Sequence, residues 1–252
     1  MHKAASGKSV SHWSLKNYPL NDLNPKILAG VAIVDSFITY LGMELERTLP
    51  GREAQDTMIP PWRRDQPGDS GTMSEPIVYR DAAVLILLYE QDAHWYFPLI
   101  ERSEHPGPHS RQIALPGGSI EKGERAEHAA FREFEEELGA SCADFRFLGA
   151  LSPLLVPVSR FRILPFVAFS PAIPVFRPAP AEVAGWFPVE IRHVADGRHR
   201  SSSQVKHGDE TRIAPCFMIS GHTVWGATAM VLAELASVLG RMPSCAVPDP
   251  VR

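Results

Sequence analysis

The chain reads as an α/β protein: one α/β sandwich domain with an N-terminal extension. Two strong helical segments, Glu124–Leu138 and Trp225–Leu239, occur together with several apolar segments of strand character, the combination that layered α/β domains show. The segment Ala82–Glu90 (AAVLILLYE) is apolar at nearly every position, as a strand covered on both faces is. At 252 residues the chain can bury a full core without disulfide staples.

The elements follow in order. The first 26 residues are polar and lack a period, which predicts a loose arm. Residues 27–48 are apolar enough for one or two helices, although Gly30 and Gly42 weaken them. Residues 50–78 carry five prolines among charges and read as a linker or a wrapping segment. After the strand Ala82–Glu90, Gln91-Asp92-Ala93 is a short turn. His94–Arg102 is the next strand, and Pro98 predicts that it lies at an edge or a bulge. Ser103–Ser110 is a loop and Arg111–Leu115 a short strand, which Pro116-Gly117-Gly118 breaks. The helix ending at Leu138 meets Gly139, a natural C-cap. Phe145–Leu151, Phe161–Phe169, Glu182–Val189 and Pro215–Ile219 are further strands, with a proline-dense loop over Pro171–Pro180. Trp225, Ala229, Leu232 and Leu235 recur at helical spacing, which predicts core packing or a subunit contact. The organisation expected is an N-terminal extension over 1–75, one α/β domain over 76–242 and a tail over 243–252.

Composition excludes several classes. A net charge of −4 argues against a general binder of nucleic acid or anionic membrane. The three cysteines, Cys142, Cys216 and Cys245, are too far apart for a disulfide framework or a zinc site, and a reducing compartment is expected. The run Ile213–Ala233 is uncharged, but Pro215, Ser220, Gly221, His222 and Gly226 make it a strand, a turn and a helix start. No basic-then-apolar leader opens the sequence, so a soluble, cytoplasmic protein is expected. No Walker loop and no Ser or Cys nucleophile constellation stands out.

The chemistry-bearing segment is Gly117–Ala140, GGSIEKGERAEHAAFREFEEELGA. On a helix, Glu133, Glu136 and Glu137 are spaced i, i+3 and i+4 and point one way. Phe131, Phe134 and Leu138 fall on another face, so the helix packs by its apolar residues and presents three carboxylates together. Such like charges repel by roughly 0.2–0.5 kcal/mol per pair. The arrangement is either a solvated acidic face, with Arg132 and Arg125 as counter-charges, or a site for a hard divalent cation.

The spacing Gly118, five residues, Glu124, seven residues, then Arg132-Glu133-Phe134-Glu135-Glu136-Glu137-Leu138-Gly139-Ala140 resembles the Nudix box, G-x5-E-x7-R-E-U-x-E-E-x-G-U, with U apolar. All seven fixed identities are present, and Ala140 fills a slot where a larger aliphatic is more usual. The resemblance implies a Nudix-type α/β/α sandwich with a mixed β-sheet and a metal-dependent hydrolase acting on a phosphoanhydride. It implies that Glu133, Glu136 and Glu137, with Gly118, hold Mg²⁺ or Mn²⁺. It also implies that Glu124 orients the helix or joins the outer metal shell, and that Arg132 holds a glutamate in place. Glu182 falls where some Nudix proteins bring a further carboxylate; it is a fourth ligand, a general base or a solvated loop residue.

Flanking residues resemble the coenzyme A pyrophosphatase branch of the family. Pro98-Leu99-Ile100-Glu101-Arg102-Ser103 and Arg111-Gln112-Ile113-Ala114-Leu115-Pro116-Gly117-Gly118 follow its pattern L-L-x-x-R-S, a spacer, G-x-x-x-F-P-G-G. Arg111 stands where that branch has Gly, and Leu115 where it has Phe. Leu49-Pro50-Gly51, Leu151-Ser152-Pro153-Leu154 and Trp225-Gly226-Ala227-Thr228-Ala229 look similar to the branch as well. The expected substrate is coenzyme A or a derivative, with another nucleoside diphosphate or a non-catalytic binding module as the other readings. Candidate substrate-binding residues are Arg102, Arg111, His109, Gly117 and Gly118, with Lys122 and Arg125 as further cations. The partner expected is a small nucleoside diphosphate, and a homodimer is left open.

Overall fold

The computed structural model describes residues 36–64, 78–104, 111–208 and 210–243. Helix α1 covers 36–45. Then come α2 (Arg52–Gln55), α3 (Pro61–Arg64), β1 (Arg80–Gln91), β2 (His94–Arg102), β3 (Ile113–Ala114), β4 (Gly117–Ser119) and α4 (Ala126–Leu138). They are followed by β5 (Arg146–Ala150), β6 (Leu154–Val156), β7 (Phe161–Ser170), β8 (Val183–Glu190), α5 (Ile191–Ala195), β9 (Arg200–His207), β10 (Glu210–Ile219), β11 (His222–Trp225) and α6 (Gly226–Leu239).

The main sheet has eight strands and runs β3-β2-β1-β7-β5, with β4 beside β1, β6 beside β7 and β8 beside β2. The β1–β7 pair is parallel and the other pairs are antiparallel, so the sheet is mixed as expected. A second antiparallel sheet has the order β11-β10-β9.

β1 shows why both faces are apolar. Side chains alternate along a strand. Ala83, Leu85 and Leu87 enter a core with Phe134 and Leu138 of α4. Ile86 and Leu88 enter the larger core on the other face, with Phe37 and Leu41 of α1 and Leu232 and Leu235 of α6. The sheet is therefore filled on both sides, with α4 on one face and α6 on the other. α6 is buried almost all round, well beyond the predicted stripe. α2, α5 and the strands β10 and β11 also pack against it, which is why an apolar-all-round helix is stable here.

Several expectations need correction. Pro98 predicts an edge or a bulge: β2 is not an edge strand, with β8 on one side and β1 and β3 on the other, but its pairing with β8 does shift register, between Glu101 and Arg102. Pro98 sits opposite Pro188 of β8. Neither has an N–H to give, so the two share one of the non-hydrogen-bonded rungs of an antiparallel pair. The predicted break at Pro116-Gly117-Gly118 holds only at Pro116, because Gly117–Ser119 pairs with Ala82–Val84 as β4. Within the segment 50–78, residues 50–64 contain short helices rather than only irregular chain, and 65–77 lie outside the described residues. The strands at 154–156, 200–207 and 222–225 and helix α5 were not expected; they are short or polar, and carry little periodic signal. Among the described residues, no helix is long and apolar enough to cross a membrane.

Candidate active site

The site forms where β4 crosses the N-terminal half of β1 and meets α4. Gly117 has φ 149°, and a Cβ there would lie 2.2 Å from the carbonyl oxygen of Ala83. A Cβ at Gly118 would lie 2.3 Å from Glu133 Oε2. At Gly117 only glycine lets the backbone pass this close to β1, whereas a side chain at Gly118 would displace the Glu133 carboxylate. The N–H of Gly117 donates to Glu137 Oε2 at 2.8 Å.

The three helix carboxylates are not equivalent. The side chain of Glu137 is 2% exposed, that of Glu133 16% and that of Glu136 54%. Burial pushes the Glu137 carboxyl up to about 7; the Gly117 N–H and the Arg102 guanidinium oppose this, while Glu133 and Glu182 add to it. Loss of water is thus the largest influence on Glu137, and the Gly117 N–H and Arg102 only partly offset it.

Arg132 organises the other acids. Its Nε donates to Glu124 Oε1 at 2.9 Å, and its Nη1 donates at 2.9 Å to both Glu133 Oε1 and Glu136 Oε2. Its Nη2 reaches the carbonyl of Ser119 at 3.1 Å and so ties α4 to β4. Glu124 lies just before α4, not within it, and its Oε2 accepts from the N–H of Glu121. The bond from Arg132 holds the Glu124 carboxyl below its usual range, helped by Glu121. Arg125 pairs with Glu127 instead.

Glu182 comes from the proline-dense loop after β7. That loop is fastened to the end of α4: the N–H groups of Arg177 and Ala179 donate to the carbonyls of Leu138 and Glu137. These bonds satisfy two carbonyls left open at a helix C-terminus. On its other side the loop is held by Ser103, whose N–H donates to the Glu182 carbonyl at 2.9 Å and whose Oγ donates to Pro180 O at 3.1 Å. Sequence reasoning missed Ser103 as an anchor, although the R-S pair of the resemblance marked it.

Arg102 stands 3.7 Å from Glu137 Oε1. The β2–β8 register shifts between Glu101 and Arg102. Such a bulge interrupts alternation and re-aims side chains, and both residues line one cavity. Its volume is about 1380 Å³, and its near wall also includes Arg111, Gly117 and Gly118. Glu133, Glu136, Glu137 and Glu182 do not line it; Glu137 adjoins it through Arg102 and Gly117, and Glu133 through Gly118. Arg111 pairs with Glu101 at 2.9 Å. Lys122 and Arg125 are not part of the wall. His109 lies outside the described residues. The far wall includes Trp62, Phe161, His222 and Trp225, none singled out from the sequence as a site residue. Trp62 and Trp225 are 163 positions apart and meet with ring centroids 6.4 Å apart; no local pattern marks them.

The family model for the NUDIX domain matches residues 79–205. The chain belongs to the Nudix hydrolase family. The curated Nudix hydrolase NudL of Shigella flexneri is 30% identical over 171 residues, covering 67% of this chain and 88% of that one. NudL of Escherichia coli K12 matches to the same extent. Among solved structures, the Nudix hydrolase RenU of M. Smegmatis is 17% identical over 65% of this chain and 88% of that one, with a TM-score of 0.47. The C. elegans Ap4A hydrolase binary complex is 19% identical over 44% of this chain and 80% of that one, with a TM-score of 0.39. Trp62, His222 and Trp225 lie outside the span of the Nudix model, whereas the carboxylates lie inside it.

Nudix hydrolases generally work with divalent metal ions, and the donor set here fits one. The hard carboxylate oxygens of Glu133, Glu136 and Glu137 gather on one helix face, and Glu137 is held out of water with only the Gly117 N–H and Arg102 beside it to balance its charge. Arg132 now occupies Glu133 and Glu136. Among the described residues no three acidic, His or Cys side chains already converge as a ligand set.

Proposed function

We propose that this Nudix hydrolase cleaves the diphosphate of coenzyme A or its derivatives, giving 3′,5′-ADP and 4′-phosphopantetheine. The observation that supports this reading best is the position of Arg102. It belongs to the stretch that resembles the coenzyme A branch, and its guanidinium lies 3.7 Å from the buried carboxylate of the Nudix box. One side chain thus joins the substrate signature to the hydrolytic signature.

Glu133, Glu136 and Glu137, with the Gly118 backbone, would hold Mg²⁺ or Mn²⁺. When bound, such an ion neutralises phosphate charge and activates water for in-line attack. Arg102 offers a planar fork of donors to a non-bridging phosphate oxygen. Glu182, exposed and fixed at its backbone by Ser103, accepts the proton of the attacking water. Water adds to one phosphorus, the bond from that phosphorus to the bridging oxygen breaks, and the bridging oxygen leaves with the other phosphate. Arg132 keeps Glu133 and Glu136 aligned toward β4. The cavity of about 1380 Å³ exceeds the roughly 300–1,000 Å³ of most small-molecule sites, as a long substrate requires.

The test is a substrate panel with product identification. The purified protein is incubated with coenzyme A and Mg²⁺ or Mn²⁺, and 3′,5′-ADP and 4′-phosphopantetheine are expected. Good turnover of an ADP-sugar, a dinucleotide or NADH with none of coenzyme A would overturn the substrate and keep the reaction.

A further inference from the structure

We propose that Glu101 parks the guanidinium of Arg111 at the cavity rim, and that Arg111, once released, reads an extra phosphomonoester on the substrate's nucleoside. This rests on the reading that the enzyme binds a nucleoside diphosphate.

Three observations meet at Arg111. Its φ is 56°, the left-handed region that glycine enters freely and that a Cβ makes costly. The coenzyme A branch has Gly at this place. Here the chain keeps a long cation in a strained backbone, at the wall of the substrate cavity. Its Nη2 reaches Glu101 Oε1 at 2.9 Å, yet its side chain is 61% exposed. The pair is therefore open to an incoming anion.

The charges favour exchange with one kind of anion. Glu101 offers one negative charge, and so does each inner phosphate of a diphosphate ester. A phosphomonoester carries about 1.5 to 2 negative charges at pH 7 and three acceptor oxygens. It displaces the carboxylate and takes the guanidinium fork in bidentate fashion. Arg102 is already turned toward Glu137, so the two arginines divide the work: Arg102 faces the diphosphate, Arg111 the monoester.

The experiment is calorimetric titration of the full chain with 3′,5′-ADP and with AMP, which differ only in the 3′-phosphate. The protein should prefer 3′,5′-ADP by about tenfold or more, the size of one charge-assisted contact. Arg111→Gly should abolish that preference while leaving the melting temperature unchanged or raised, because strain is relieved. Glu101→Gln should increase the preference, and should have no effect on it in the Arg111→Gly background. A merely structural pair would shift the preference in the same direction in both single variants. Retained preference in Arg111→Gly, or a weaker one in Glu101→Gln, would overturn the proposal. If the preference behaves as stated but no diphosphate is hydrolysed, the proposed function fails and the role of Arg111 stands. Hydrolysis with a preference insensitive to Arg111 means the reverse.

Discussion

Glu137 on α4 and Glu234 on α6 are both almost completely out of water, on opposite sides of the same sheet. Their surroundings differ. Glu234 accepts from the N–H of Gly51 at 3.0 Å, the N–H of Ser152 at 3.2 Å and Gln55 Nε2 at 2.8 Å. Glu137 accepts one backbone N–H and has a guanidinium at 3.7 Å. Burial alone therefore does not make a carboxylate reactive. The one saturated with donors fastens the N-terminal segment to the domain; the one left short of them is free to take a cation.

The largest effect that sharpens this contrast is on turnover. Glu136→Gln and Glu137→Gln should each lower kcat by about 10²–10⁴-fold, with little loss of stability in thermal melts. Unchanged activity in either variant would remove that residue from the site. Glu234→Ala should do the opposite. It removes the shared acceptor of three donors, two of them part-buried, and should destabilise the fold by about 2–4 kcal/mol in denaturant titrations, while the folded fraction keeps its kcat.

The next effect is on pH. The Glu137 carboxyl is raised from 4.5 to about 7 in the folded chain, so the native state holds its proton more tightly than the unfolded state does. The associated stability is fully present below 4.5 and is lost as pH rises through about 7. In metal-free protein that loss is about 3 kcal/mol, from 1.36 kcal/mol per pH unit. Glu137→Gln should flatten it, and Glu234→Gln should not. Denaturation midpoints at pH 5 and pH 8 measure both. Smallest is Gln55→Ala, which removes one of the three donors to Glu234 and should cost about 1 kcal/mol.

The contrast also marks what could be read in advance. The Nudix spacing singled out Glu133, Glu136 and Glu137 as one group, and Phe134 and Leu138 are buried as their helical positions demand. It could not rank the three by exposure, because that depends on how closely β4 approaches α4. Glu234 looks like one charge in an apolar helix; its partners lie at positions 51, 55 and 152. Two of them, Gly51 and Ser152, belong to Leu49-Pro50-Gly51 and Leu151-Ser152-Pro153-Leu154, segments noticed only as similar to the branch. The structure gives them a shared physical role around one carboxylate.

By itself, the sequence determined what depends on neighbours within a turn or along a strand. Periodicity set the two long helices, the two-sided burial of β1 and the shared face of the acids. Tertiary structure decided what depends on distant chain meeting: the bulge that sets Arg102 beside Glu137, the loop that Ser103 fastens near it, the Trp62–Trp225 wall and the strained backbone of Arg111. Local patterns reflect short-range sterics and hydrophobic phase, whereas charge balance and cavity shape arise only when residues far apart in the chain come within a few ångströms.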